Sequence, residues 1–220
     1  TSPMPRPSTP CAERRPPSGA CRRAATGSPA SILPESRENI VPEPSSQLEA
    51  VGELIEDLRA IGLTPVLIGG MAPVVRGSRR VTNDYDLVVA HPGDRLDRAL
   101  ESLYARGLEL VSRLDGAGNV VATIDNRTVA AARLRIDMPA SAYFYNAATG
   151  LRVDLLFDFP VEAAALDGRA TRMKIQSHLF SIASDEDLLA LKRIAAAARS
   201  FPGDAQDIVF LEAHLARRRS

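Results

Sequence analysis

Two aspartates separated by one residue, Asp84 and Asp86, follow a basic loop and precede the apolar run Leu87, Val88 and Val89. In a strand, alternate side chains share a face, so both carboxylates point the same way while the apolar run anchors the strand in a core. Like charges held on one face are costly unless a cation sits with them. Upstream, Gly69-Gly70 ends the apolar stretch Val66, Leu67, Ile68 just before a short helix. Such a turn can offer bare backbone N–H groups to a phosphate. Carboxylates for a hard cation beside a glycine turn for phosphate predict a metal-dependent nucleotide site.

Further polar candidates lie downstream. In Leu151–Phe157, Val153, Leu155 and Phe157 share one strand face, while Arg152 and Asp154 share the other. A carboxylate in so apolar a strand needs a partner. That partner is either an arginine or a cation shared with Asp84 and Asp86, in which case the three carboxylates converge. Asp158, the rival to Asp154, sits at the strand end where a turn is expected. Lys192 is one of only two lysines in the chain. It falls near the apolar edge of a helix, and alanine there is expected to keep the fold. Arg199, Asp204 and Asp207 complete the C-terminal set, although the two aspartates could equally serve as first-turn helix charges. The histidines 91, 178 and 214 form no ligand cluster in sequence.

The Gly69-Gly70 turn followed by Asp84-Tyr85-Asp86 resembles the signature of the nucleotidyltransferase superfamily. The approach Arg79-Arg80-Val81-Thr82-Asn83 is similar to that of its AbiEii/MenT-like toxin-type branch, as is the segment from Asp187 through Lys192 to Asp204 and Asp207. A second Asp-x-Asp, Asp185-Glu186-Asp187, looks only like the acidic first turn of a helix. The resemblance spans roughly Gln47 to Ala216. It implies an α/β (α+β) mixed-sheet core with a helical C-terminal region, and transfer of a nucleoside monophosphate from an NTP to a hydroxyl. One or two Mg²⁺ would be held by Asp84, Asp86 and Asp154. Gly69 and Gly70 would hold the β/γ-phosphates, with Arg79, Arg80, Thr82 and Lys192 beside the nucleotide and Asp204 near the chemistry. In that branch the acceptor can be a tRNA 3′ end and an antitoxin the partner. Transfer to a protein or small molecule stays open, as does an inactive nucleotide- or RNA-binding or antitoxin module of the same fold.

The elements that must position these residues follow from periodicity. Leu48, Val51, Leu54, Ile55, Leu58 and Ile61 recur at helical spacing up to Gly62. A strand Pro65–Ile68, a short helix near Met71–Val75 and a strand Asp84–Ala90 come next, then a helix over Asp94–Ala105. Glu109–Ser112, Asn119–Ile124, Ala131–Ile136 and Ala142–Tyr145 are predicted as strands of a mixed sheet, and so is Arg172–Gln176. Ser184 is placed as an N-cap with Asp187 three residues on, a variant of the capping box. Pro202-Gly203 separates the helix that follows from a last one carrying Ile208, Leu211 and Leu215 on one face. The domain reading is a tail over 1–45, a core over 46–180 and a helical region over 181–220.

The chain has 220 residues, no net charge and 45% hydrophobic residues, which allows one or two domains with an adequate core. No global basic field argues for nucleic acid. No apolar run approaches the length of a membrane span, and no apolar leader core is visible near residue 1. Both cysteines, Cys11 and Cys21, lie in the first 45 residues, so a reducing cytoplasm is the expected setting. Ten of the sixteen prolines also fall there, among Ser and Arg without a period, and a disordered tail is expected.

Overall fold

The computed structural model describes residues 44–198 and 201–219. The tail expectation and Arg199 therefore lie outside the described residues, apart from the opening of the first helix. That helix, α1 (Pro44–Ala60), buries Val51, Leu54, Ile55 and Leu58, as its spacing predicts. Gly62 then adopts a positive φ of 81° and ends the turn. A two-residue strand, β1 (Val66–Leu67), leads through Gly69-Gly70 into α2 (Met71–Val75) and on to β2 (Asp84–Val89). Next come a 3₁₀ turn (Gly93–Arg95), α3 (Leu96–Ala105), β3 (Glu109–Leu114) and β4 (Val120–Ile124). Then follow α4 (Arg127–Asp137), β5 (Ser141–Tyr145), β6 (Arg152–Phe157), α5 (Ala163–Arg169), β7 (Thr171–Ile175) and β8 (His178–Ile182). Helices α6 (Asp185–Ala198) and α7 (Pro202–Arg219) close the chain and pack on each other.

The strands form one mixed sheet in the order β4-β3-β5-β6-β2-β1-β8-β7. Two pairings are parallel, β2 with β6 and β1 with β8, and the rest are antiparallel. One face of β2 and β6 presents Tyr85, Leu87, Val89, Val153 and Leu155 to the core, all buried. Asp84 and Asp86, with Asp154 beside them, therefore emerge on the other face.

The segment Ala131–Ile136, expected as a strand, lies inside α4. Its alternation of Arg133 and Arg135 with Leu134 and Ile136 mimics a strand period. The Asn126 side chain instead caps the helix by accepting from Thr128 N (2.9 Å) and Val129 N (3.2 Å). Ala130, Ala131 and Leu134 then bury one helical face, leaving Ile136 80% exposed. At Ser184 the capping expectation holds: Asp187 N donates to Ser184 Oγ (3.1 Å), which in turn donates to Asp187 Oδ2 (2.6 Å).

His178, which opens β8, is clamped under α1. Its Nδ1 lies 2.7 Å from Glu56 Oε1 and its Nε2 lies 3.0 Å from Glu49 Oε1. Only glycine fits at position 52, since a Cβ there would stand 2.4 Å from His178 Cγ. The hydrogen bond that the imidazole donates to Glu56, helped by Glu49, raises it above its ordinary 6.5. The sign follows. This stabilisation is fully present below the unfolded value and is lost as pH rises through the raised folded one. The denaturant midpoint should fall as pH rises above the ordinary histidine range and through the raised folded value, and His178→Gln should flatten that fall. An equal pH slope in the two proteins would assign it to other groups.

Candidate active site

The site is built where β1 turns into α2. Ile68 N donates to Asp86 O (2.9 Å), which ties the end of β1 to β2. Gly69 has φ +65°, a region that L side chains rarely adopt. A Cβ there would lie 1.7 Å from Asp86 Oδ2, so the carboxylate is laid directly against the glycine backbone. Gly69→Ala should therefore displace Asp86 as well as strain the turn. We expect a loss of roughly 1–3 kcal/mol in a urea titration, together with impaired chemistry. An alanine variant with unchanged stability would show that the turn has room to relax.

Pairing of β2 with β6 places Asp86 opposite Asp154 and Asp84 opposite Arg152. Because paired residues on neighbouring strands project to one face, Asp86 and Asp154 stand side by side. Asp154 Oδ1 is buried and has no hydrogen-bond partner among the described residues. Burial, and then the charge of Asp86, push the Asp154 carboxyl up to about 6; Asp84 adds to this, while a hydrogen bond from Ser141 opposes it. Asp84 is more open, with a side chain 53% exposed and 3.8 Å from Arg152 Nη1. Asp158 stays outside the group. Its carboxylate accepts from His91 N (3.0 Å) and Ala163 N (2.9 Å), closing the turn after β6.

Asp86 and Asp154 open into a cleft of about 380 Å³. Gly69 and Ile68 form one end, Leu156, Phe159 and Pro160 one side, and α6 the other, through residues including Leu188, Leu191, Lys192 and Ala195. Lys192 does reach the cleft, but it is a buried lysine rather than a surface one. Its Nζ lies 2.9 Å from Asp204 Oδ1 and 2.8 Å from Asp207 Oδ2, and both carboxylates are fully buried. Asp207 Oδ2 also takes a hydrogen bond from Arg80 Nη1. Arg79 is exposed and Thr82 half-buried, and neither Arg79, Arg80, Thr82 nor Asp204 lines the cleft.

Among the described residues, no three His, Cys, Asp or Glu side chains are gathered into a ready-made metal site. The donor set at the cleft is the pair Asp86 and Asp154; Asp84 shares the strand face of Asp86 but does not line the cleft. That pair suits Mg²⁺, which takes one or two carboxylates and completes its shell with water and substrate phosphates. The unpartnered Oδ1 of Asp154 and the raised affinity of its carboxyl for a proton are what a cation would relieve.

Sequence reading missed the part played by Asp207 and by the apolar wall of α6. The signal for Asp207 was present. Aspartates 204 and 207, three apart in a helix, share one face and can grip a single cation.

No protein-family model matches the sequence, and no curated protein matches it. Among solved structures, the chain is similar to an antigenic nucleotidyltransferase-like protein from Paracoccidioides brasiliensis, at 16% identity and a TM-score of 0.52 over 76% of each chain. It is also similar to ANT(2″)-Ia in complex with adenylyl-2″-tobramycin, at 14% identity and a TM-score of 0.51 over 79% of this chain and 92% of that one. A solution structure of the same antibiotic-resistance factor gives 13% identity and 0.51 over 78% and 85%. At these identities the likeness concerns architecture, and the architecture is that of nucleotidyltransferase-type folds.

Proposed function

We propose that this protein is a metal-dependent nucleotidyltransferase that moves a nucleoside monophosphate from an NTP to a hydroxyl acceptor. The observation that carries the reading is the in-register pair Asp86 and Asp154, one oxygen unpartnered, set against the Gly69-Gly70 turn at the end of a cleft. In this reading the acceptor oxygen attacks the α-phosphorus, the bond to the bridging α–β oxygen breaks, and pyrophosphate leaves. Mg²⁺ held by Asp86 and Asp154, with Asp84 on the same strand face, would supply charge stabilisation for the phosphates and acidify the acceptor hydroxyl. Backbone N–H groups of the glycine turn would orient the triphosphate. Lys192, held by Asp204 and Asp207, would flank it from the wall, and Asp154 would take up the proton that the acceptor hydroxyl gives up.

For the acceptor, the resemblance to the toxin branch favours a tRNA 3′ end, and with it an antitoxin partner. The cleft favours a small hydroxyl compound with an apolar face. Phe159 and Ile194 stand 52% and 55% exposed along it, and its lysine is already held by two carboxylates. An RNA end would call for cations able to replace its counterions. The test is incubation with each labelled NTP and Mg²⁺, separately with total RNA, cell protein and a panel of hydroxylated small molecules. Label on RNA would favour the toxin-type reading over the small-molecule one. Folded protein that releases no pyrophosphate with any NTP would end the proposal.

A further inference from the structure

The buried carboxylate of Asp207 touches two cations that serve different parts of the molecule. One is Lys192, which lines the cleft with Gly69, Asp86 and Asp154. The other is Arg80, in the loop that carries the chain from α2 back to β2. The Arg80 side chain is only 12% exposed and is enclosed on several sides. Its guanidinium lies 5.6 Å from the ring centroid of Phe201. A Cβ on Gly70 would stand 2.6 Å from Arg80 Nη1, and one on Gly203 would stand 2.8 Å from Arg80 Cζ. Glycines on two distant segments thus leave room for one guanidinium.

We propose that Asp207 is a positioning residue for the cleft: its single carboxylate fixes Lys192 at the wall and Arg80 against the Gly69-Gly70 turn, so that α7 sets the geometry of both. Arg80 is accordingly a pin between the glycine turn and the C-terminal helices rather than a group that meets the triphosphate. The physical reason for using charge here is directional. An apolar contact would tolerate sliding, whereas a carboxylate shared by an ammonium and a guanidinium, all desolvated, has few acceptable arrangements. Asp204 holds the second side of Lys192 and leaves Asp207 free to reach Arg80. Both cations contact Oδ2, while Asp207 Oδ1 is buried without a hydrogen-bond partner among the described residues, so the carboxylate is oriented through the Oδ2 side.

This inference rests on the nucleotidyltransferase reading only for its catalytic consequence. Its test therefore has one arm that needs no activity. Hydrogen exchange should be followed in Asp207→Asn at the backbone amides of Gly69 to Ala72, with α3 as an internal control. Exchange at the turn should quicken by about tenfold or more while α3 stays unchanged. In the second arm, kcat/KM for the NTP should fall by about a hundredfold at a temperature where circular dichroism shows the variant folded. Arg80→Lys provides a second variant if Asp207→Asn does not fold. It keeps the charge but loses the planar fork, and should loosen the same amides. Turn amides that exchange at the parent rate in a folded variant would overturn the proposal, as would an unchanged kcat/KM. A parent inert toward every NTP would remove the reading of function, and the exchange arm would then decide the positioning claim alone.

Discussion

Asp154→Asn should make the metal-free protein more stable near neutral pH while it abolishes nucleotidyl transfer. In the folded chain the carboxyl is pushed up to about 6 from an ordinary 3.8, chiefly by burial and then by Asp86. As pH rises, the unfolded chain gives up this proton first and the folded one holds it longer. Stability therefore declines between those two values and stays low above them. A difference of about two units caps the penalty at roughly 3 kcal/mol. The buried amide that replaces the carboxylate recovers only part of it. Urea titrations in chelator should show Asp154→Asn ahead of the parent at about pH 8 and level with it at about pH 4. Transfer should drop by about 10³-fold or more, several kcal/mol of lost charge stabilisation. An asparagine variant that is less stable at neutral pH would mean that the parent carboxylate is already well compensated.

Removing Lys192 should do the opposite to the fold. Its ammonium neutralises two carboxylates that have no exposure at all, Asp204 and Asp207. Breaking a buried ion group by deleting one member typically costs about 3–5 kcal/mol, because buried charge is left under-compensated; Arg80 stays on Asp207 and offsets part of that cost. Helix propensity alone would forgive alanine here, which is why the sequence predicts an intact fold. Burial reverses that expectation. Lys192→Met, which keeps most of the side-chain volume, should be almost as destabilised as Lys192→Ala, since charge and not packing is what is lost. Use of NTP should also weaken, by roughly 2–4 kcal/mol. Parent-like urea midpoints for both variants would show that water reaches the carboxylates and compensates them.

The turn and strand that build the candidate site were legible because their constraints are local. Gly69-Gly70 and Asp84-Tyr85-Asp86 are set by strand alternation and by a turn that only glycine fits, and both are visible in a short window. Asp154 was legible because a carboxylate interrupts an apolar strand. What stayed hidden depends on contacts between distant segments. The spacing of Asp204 and Asp207 allows both to grip one cation, yet a solvated first-turn pair has the same spacing, so their seal under Lys192 stayed hidden. Arg80 looked like phosphate-binding charge because its neighbours in sequence are Arg79 and Thr82, while its neighbours in space are Phe201, Gly203 and Asp207. In α4, two arginines alternating with Leu134 and Ile136 imitated a strand, and only the Asn126 cap and the buried Ala130-Ala131 pair reveal the helix. The segments that became α5 and β8 carried too short a pattern to separate from loop.

The parallel pairing of β2 with β6 has a consequence for how the molecule comes to be folded. Asp86 and Asp154 are far apart along the chain and are not neighbours until these two central strands zip together. Closing so long a loop is entropically slow, and parallel pairing offers no hairpin to nucleate it. The mutual repulsion of the two carboxylates arises at that same step, so it acts on the closing of the sheet and not on the earlier formation of helices and hairpins. A divalent cation or mild acid present during refolding should therefore quicken the last phase while leaving the first ones untouched. The register that sets two carboxylates side by side thus makes the protein's assembly sensitive to what is dissolved around it.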